Sequence, residues 1–410
     1  MQPLTGRKLW LVGIGGAGMS ALAVVTKAWG AEVAGSDQAR SSYVELVEQH
    51  GIPVTIGHAA ENVPEGFEVI ASSAIAPDNP ELATRTSVKR RGELLAELVR
   101  LRPSIIVAGA HGKTTTAAMI AFCLDGLGLD PTFLIGGEVP QLGGNARAGE
   151  GWLVAEGDES DRSLLLLEPR IAVLTNVELD HHATFASLAE VERLFADWLA
   201  SLPRGAIVVR GEDVVAPRAL ELAVPGEHNR ANAACALAAL AAAGVDVELA
   251  AKALAGFQGA GRRFELIGEA REVRVYDDYG HHPTEIEATL ATARSLLAPG
   301  DRLVALFQPH LYSRTLHLAH ELAAALAAAD AVCVTDVYPA RERQIDGVSG
   351  KLVVEELCEL RQGMTVAWTP ELEGAAELVT GWASPGDLVV TIGAGDVDRA
   401  ARLIVERLLA

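Results

Sequence analysis

Short apolar runs ending in Gly, Ser or Asp alternate along this chain with longer helical stretches, and nothing else in the sequence restricts the fold as much. Strands are predicted at 8–12, 32–35, 69–72, 104–107, 152–156, 172–175, 206–209, 274–277, 302–307, 331–335 and 387–392. Strand, helix, strand in repetition gives βαβ units and parallel sheets, and right-handed crossovers bring the loops after the strands to one sheet edge. An α/β protein is therefore expected. The proline in Arg100-Leu-Arg-Pro-Ser104 and the Gly-rich basic joint Phe257-Gln-Gly-Ala-Gly-Arg-Arg263 divide the 410 residues into domains near 1–100, 101–258 and 259–410. The first and third are expected to be Rossmann-like.

Charge limits the partners. Lys plus Arg number 34 against 54 Asp plus Glu, a net −20 that repels nucleic acid and anionic membranes, so a polyanionic ligand must be small and held in a focused pocket. Four scattered cysteines, Cys123, Cys235, Cys333 and Cys358, without a CxxC, read as buried thiols of a reducing cytoplasm. Arg7 and Lys8 ahead of the apolar run 9–25 imitate a leader peptide, but the glycines within 13–18 suit a phosphate turn better than a secretory helix. No membrane insertion is expected.

The polar motifs fall after the predicted strands. Gly13-Ile-Gly15-Gly16-Ala-Gly18 is a full G-x-G-x-x-G between strand and helix, with Asp37 ending the next strand. Its glycines permit close backbone approach to a pyrophosphate at a helix N-terminus, and the carboxylate can accept from a ribose hydroxyl. Gly109-Ala-His111-Gly112-Lys113-Thr114-Thr115-Thr116 is a shortened phosphate loop that supplies backbone N–H groups, a lysine for the β and γ phosphates and a hydroxyl for Mg²⁺. It makes the central domain a P-loop ATPase-type domain. In Glu156-Gly-Asp158-Glu159-Ser-Asp161 four crowded carboxylates need a cation or basic groups, with Mg²⁺ the economical explanation, and Asp180-His181 is a second candidate ligand pair. Asn229 and Asn232 share a helix face and suit either an adenine edge or a cap. Tyr276-Asp277-Asp278-Tyr-Gly-His281-His282 taken alone resembles a transition-metal site, while His310 to Arg314 and Gly393-Ala-Gly395-Asp396 load two more strand ends. So many loaded ends argue for a cleft.

As an ordered set these strings resemble the Mur ligase family of peptidoglycan synthesis, and within it the branch that adds L-alanine to UDP-N-acetylmuramate; the likeness spans nearly the whole chain. It implies that the first domain holds the UDP-sugar through Gly13, Gly15, Gly16, Gly18, Ser20, Asp37, Ser72 and Ser73, and that the central domain holds ATP and Mg²⁺. Gly109, His111, Gly112, Lys113, Thr114 and Thr115 then line the ATP phosphates; Thr114, Glu156 and His181 match metal ligands. Asn229 and Asn232 match adenine contacts, Arg263 a phosphate clamp, and Asp277 or Asp278 a ribose contact. His281, His310 and Arg314 match the acyl and amino-acid end, with Lys113 among the catalytic groups and the third domain closing over both substrates. A monomer or homodimer is implied. Ala183 stands where the family has Asp, His182 where it has Met, Leu311 where a basic residue is common and Arg341 where Gly is usual; the short 47-position separation of His181 and His228 implies a trimmed central domain. Two other classes fit part of the pattern. An NAD-dependent oxidoreductase explains the first loop and leaves Lys113 without a task, and a nucleotide-binding regulator keeps both loops without turnover.

Overall fold

A computed structural model describes residues 2–83, 87–182, 184–340 and 342–410, so Ala183 and Arg341 lie outside the described residues. The first sheet is built from β1 (Lys8–Val12), α1 (Ala17–Ala28), β2 (Glu32–Asp37), α2 (Ser42–Gln49), β3 (Val54–Ile56), β4 (Glu68–Ala71), α3 (Pro80–Ala83), β5 (Lys89–Arg90) and α4 (Arg91–Leu101). Its strands are parallel in the order β3-β2-β1-β4-β5. The winding reverses between β1 and β4, and such a switch point opens a crevice beyond the carboxyl ends, where Gly13 and Ser72 begin their loops.

The second sheet takes β6 (Ser104–Ala108), α5 (Lys113–Gly126), β7 (Thr132–Val139), β8 (Gly144–Arg147), β9 (Leu153–Glu156), β10 (Ile171–Leu174), α6 (Leu188–Ser201), β11 (Ile207–Arg210), α7 (Glu227–Ala242) and α8 (Val247–Leu254). Its order is β11-β10-β6-β9-β7-β8, parallel except for the antiparallel β7–β8 hairpin. All five residues of β6 are buried, as a strand covered on both faces requires. The hairpin lies on α1, whose residues from Met19 to Thr26 are all buried.

The third sheet follows with β12 (Glu265–Ala270), β13 (Val273–Asp278), α9 (Pro283–Ser295), β14 (Leu303–Phe307), α10 (Tyr312–Leu326), β15 (Ala331–Val334), α11 (Lys351–Leu360), β16 (Thr365–Trp368), α12 (Leu372–Trp382), β17 (Leu388–Ile392) and α13 (Asp398–Leu409). The order is β12-β13-β17-β14-β15-β16, with only β12 antiparallel. Alternate residues of β14 and β17 enter two separate cores: Leu303, Ala305, Phe307, Leu388 and Val390 one, Val304, Leu306 and Val389 the other. Helices thus cover both faces, and the protein is a three-domain α/β fold.

The chain packs as two compact units, one comprising Met1–Leu179, Ser187–Ala223 and Arg230–Gln258, the other Asp180–Ala186, Val224–Asn229 and Gly259–Ala410. Beyond the predicted strands the structure adds β3, β5, β7, β8, β12 and β16, which are short, glycine-containing or half exposed. Cys123, Cys235 and Cys333 are buried as expected, but Cys358 is exposed, on the Glu-rich side of the amphipathic α11. Among the described residues no helix is long and apolar enough to cross a membrane.

Candidate active site

The loop after β1 is shaped by Asp37, which accepts from the Gly15 N–H at 2.8 Å. One oxygen of the expected ribose acceptor is therefore committed to the loop. A Cβ on Gly15 would fall 2.6 Å from Val44 Cγ2 and 2.9 Å from the Asp37 carboxylate, so only glycine keeps this turn. Ser72 stands at the neighbouring strand end against Gly13, and Ser73 after it is exposed. Ser20 differs from expectation: it is fully buried, donates to Ala17 O at 2.9 Å and accepts from Asn145 Nδ2 at 3.3 Å. Its place is behind the loop, because a hydroxyl in the first turn of a helix finds the nearby carbonyl. Asn145, on β8 and wholly enclosed, also donates to Ala17 O at 3.0 Å.

The loop after β6 leads into α5 through Gly112 at φ +78°, and a Cβ there would sit 2.2 Å from Asn232 Oδ1. Thr175 Oγ1 and Asn176 Nδ2 donate to His111 O at 2.6 and 3.0 Å, Asn176 Oδ1 accepts from the His111 N–H at 2.9 Å, and the His111 ring meets Glu178 at 3.2 Å. Lys113 Nζ donates to Gly109 O at 2.5 Å, to Ala110 O at 3.1 Å and to both oxygens of Glu159 at 3.0 and 3.1 Å. Burial works against the ammonium, yet Glu159, backed by Asp158 and Glu156, keeps its pKa above the ordinary lysine value. Thr114 donates to Glu156 Oε2 at 3.1 Å, and Thr115 is buried in the same first turn.

The acidic cluster is resolved mostly by basic groups. Asp158 pairs with Arg91 at 2.8 Å and accepts from Ser160 at 2.6 Å; although burial opposes it, the Arg91 charge holds its carboxyl below the usual range. Asp161 lies 3.9 Å from Arg91, and Glu159 belongs to Lys113. That leaves Glu156 beside Thr114 as the acid placed to share a cation. On α7, the carbonyl oxygen of Asn232 lies under Gly112 and accepts from Thr116 at 3.4 Å, and Asn229 donates to Pro225 O at 2.7 Å.

The second unit gathers the remaining candidates. Arg314, 3% exposed, donates through Nε and Nη2 to Asp180 at 3.1, 2.7 and 3.1 Å and through Nη1 to His310 Nδ1 at 3.1 Å. A guanidinium cannot accept, so His310 Nδ1 does, which leaves the ring proton on Nε2. His281 lies 3.7 Å from Asp180, packs edge-on against His310 at 5.8 Å, and sits 3.3 Å from Glu285, so it belongs to this network; His282 caps α9 instead. Burial opposes ionisation of Asp180, but the hydrogen bond with His281 and the charge of Arg314 hold it well below the usual carboxylate range. His181 at φ +56° and Leu311 at φ +70° are left-handed non-glycine residues, strain of the kind that collects at functional loops.

Asp277 is fully enclosed, accepting from Arg262 at 2.9 Å and Thr391 at 2.6 Å; burial pushes its carboxyl up to about 6. It is thus no open ribose acceptor, because it anchors the arginine that also clasps Gly393 O and Gly395 O at 2.8 and 2.7 Å. Asp278 keeps a small exposure while accepting from Phe264, Gly280 and Thr289 at 2.8, 2.8 and 2.9 Å. Arg263 lies over Tyr279, 5.0 Å from the ring centre, and 3.7 Å from Glu285. Arg91, Asn145, Thr175 and Asn176 escaped the sequence reading, since their partners are remote in sequence.

Three family descriptions match in chain order: "Mur ligase family, catalytic domain" over residues 9–102, "Mur ligase middle domain" over 107–223 and "Mur ligase, glutamate ligase domain" over 262–395. The UDP-N-acetylmuramate–L-alanine ligase of Rubrobacter xylanophilus is 42% identical over 446 residues, covering 98% of this chain and 100% of that one. The crystal structure of the UDP-N-acetylmuramate–alanine ligase of Thermotoga maritima superposes with a TM-score of 0.83 at 29% identity over 98% of both chains. A murein peptide ligase of Psychrobacter arcticus shares the fold, with a TM-score of 0.73 at 24% identity over 98% of this chain and 99% of that one.

Proposed function

The chain belongs to the Mur ligase family, and from that footing we infer that it is the ATP-dependent ligase joining L-alanine to UDP-N-acetylmuramate in peptidoglycan synthesis. The observation that carries the phosphoryl-transfer half is the loop on the fully buried β6: Gly112 admits no side chain, Lys113 stands at the start of α5, and Thr114 and Glu156 oxygens lie 3.1 Å apart beside it. Two hard oxygen donors beside a phosphate loop fit Mg²⁺, which when bound would neutralise phosphate charge; the family resemblance adds His181 to the ligand set. The sugar's lactyl carboxylate attacks the γ-phosphate of ATP to give an acyl phosphate and ADP. The alanine amine then attacks the acyl carbon and phosphate leaves. Lys113 serves by turning from Glu159 to the developing charge of the transferring phosphoryl group, a task of position and electrostatics.

The amine must be neutral to attack, so His281 or water takes its proton. The fork of Arg314 is already filled by Asp180 and His310, which supports a part in the amino-acid end exerted by holding those two groups. On the first loop, Gly13, Gly15, Gly16 and Gly18 are proposed to receive the UDP diphosphate at the N-terminus of α1. The use of ATP and a UDP-linked sugar supports a cytoplasmic site for the reaction. Phosphate release from ATP with UDP-N-acetylmuramate, run against a panel of amino acids, tests the reading: L-alanine should be strongly preferred. Enhanced NADH fluorescence on mixing, with no phosphate released, would favour the oxidoreductase alternative.

A further inference from the structure

We propose that a cavity at the amino-terminal edge of the second sheet binds a small, multiply charged phosphate anion, pyrophosphate or the polyphosphate tail of a nucleotide. The cavity measures about 380 Å³ and is lined by Arg100, Arg102, Glu168, Arg170, Arg204 and the turn at Gly205, among others. It opens where β6, β10 and β11 begin, while the phosphate loop follows the far end of β6. Five residues of strand separate the two, roughly 16 Å, so the same ligand cannot touch both.

The charge is out of proportion to the chain. Four of eleven lining residues are arginine, where 34 Lys plus Arg in 410 residues would place about one basic side chain. Arg100 is held by an exposed pair with Glu168 at 2.9 Å, and Arg102 donates to the carboxylate and the carbonyl of Glu150 at 2.8 Å while lying over the Trp29 ring, that carboxylate side chain being 84% exposed. Such pairs contribute little and exchange readily for a stronger anion. Arg170 and Arg204 make no ion pair among the described residues; the Arg170 guanidinium instead lies over the Trp152 ring, 5.6 Å from its centre. Planar guanidinium forks match phosphate oxygens two at a time, and a protein of net −20 otherwise repels anions, which leaves this edge as a local positive focus. Because Arg100 and Arg102 end α4 while Arg170 and Arg204 flank β10 and β11, a bound anion would fasten the last helix of the first domain to the second sheet.

Calorimetry with inorganic pyrophosphate tests this on the full chain, its phosphate loop first occupied by a single equivalent of a Mg²⁺-bound non-hydrolysable ATP analogue, which leaves the second site open. One pyrophosphate per chain should bind, and Arg170→Ala/Arg204→Ala should weaken it by about tenfold or more. Should the double variant not fold, Arg204→Glu at its exposed turn replaces it. In Lys113→Ala protein pyrophosphate should still bind, and displacement by ATP there identifies the nucleotide tail as a source, whereas no displacement assigns the site to free pyrophosphate. Unchanged pyrophosphate affinity in the arginine variants, or no binding at millimolar concentration, overturns the site.

Discussion

At the scale of single residues, the paired charges decide what substitutions do. Lys113→Ala should lower kcat by about 10² to 10³ in a phosphate-release assay, through loss of one charge-stabilising donor. It should also destabilise the fold by roughly 3 kcal/mol, because Glu159, its side chain 4% exposed, is left without its cation. Adding Glu159→Gln should restore much of the melting temperature and none of the turnover; a full loss of kcat that Glu159→Gln repairs would remove Lys113 from the chemistry. Arg314→Ala strands buried Asp180 in the same way, so kcat, alanine KM and stability should fall together, and a pure rise in alanine KM in steady-state kinetics would return Arg314 to direct carboxylate capture. Asp277 supplies a pH signature. Its carboxyl is raised to about 6, so its stabilising contribution is complete below about pH 4 and disappears as the pH rises to 6, up to roughly 3 kcal/mol. Urea unfolding of the native chain and Asp277→Asn should show the difference between them shrinking across that window, and a flat difference would contradict it.

At the scale of elements, legibility followed burial. Strands such as β6, β14 and β17, buried along their whole length, appear in the sequence as unbroken apolar runs with polar punctuation, so they and the loops behind them could be read. The strand β7 carries Gly136 and Gly137, β12 is half exposed, and β5 has two residues, so none offers a period long enough to recognise. Which acid meets which base was equally hidden: Lys113 with Glu159, Arg91 with Asp158 and Arg314 with Asp180 join positions 46, 67 and 134 residues apart. The acidic cluster looked like a metal site because only its own neighbours were visible. The hairpin offers a test of what the sequence did not show. Asn145→Ala removes both donors to the first turn of α1 and should raise KM for the sugar nucleotide several-fold while ATP KM holds; Gly15→Val, which meets Val44 and Asp37, should do so more severely. Equal changes in both KM values would show general damage instead.

At the scale of the whole molecule, the groups proposed for turnover are divided, with Lys113, Thr114 and Glu156 in one unit and Asp180, His281, His310 and Arg314 in the other. Acyl phosphate must be kept from water, so ATP analogue and UDP-N-acetylmuramate together should reduce the radius of gyration in small-angle scattering, and an unchanged value would count against closure. The covering of α1 by the β7–β8 hairpin also decides how the chain can be cut. Met19 to Thr26 are buried without interruption because one side rests on the first sheet and another on a hairpin that arrives more than a hundred residues later. A fragment ending at residue 102 keeps every strand of its sheet yet exposes the outer side of that helix to solvent, so the stretch matched as the first domain, expressed without the hairpin, should aggregate or melt below the full chain.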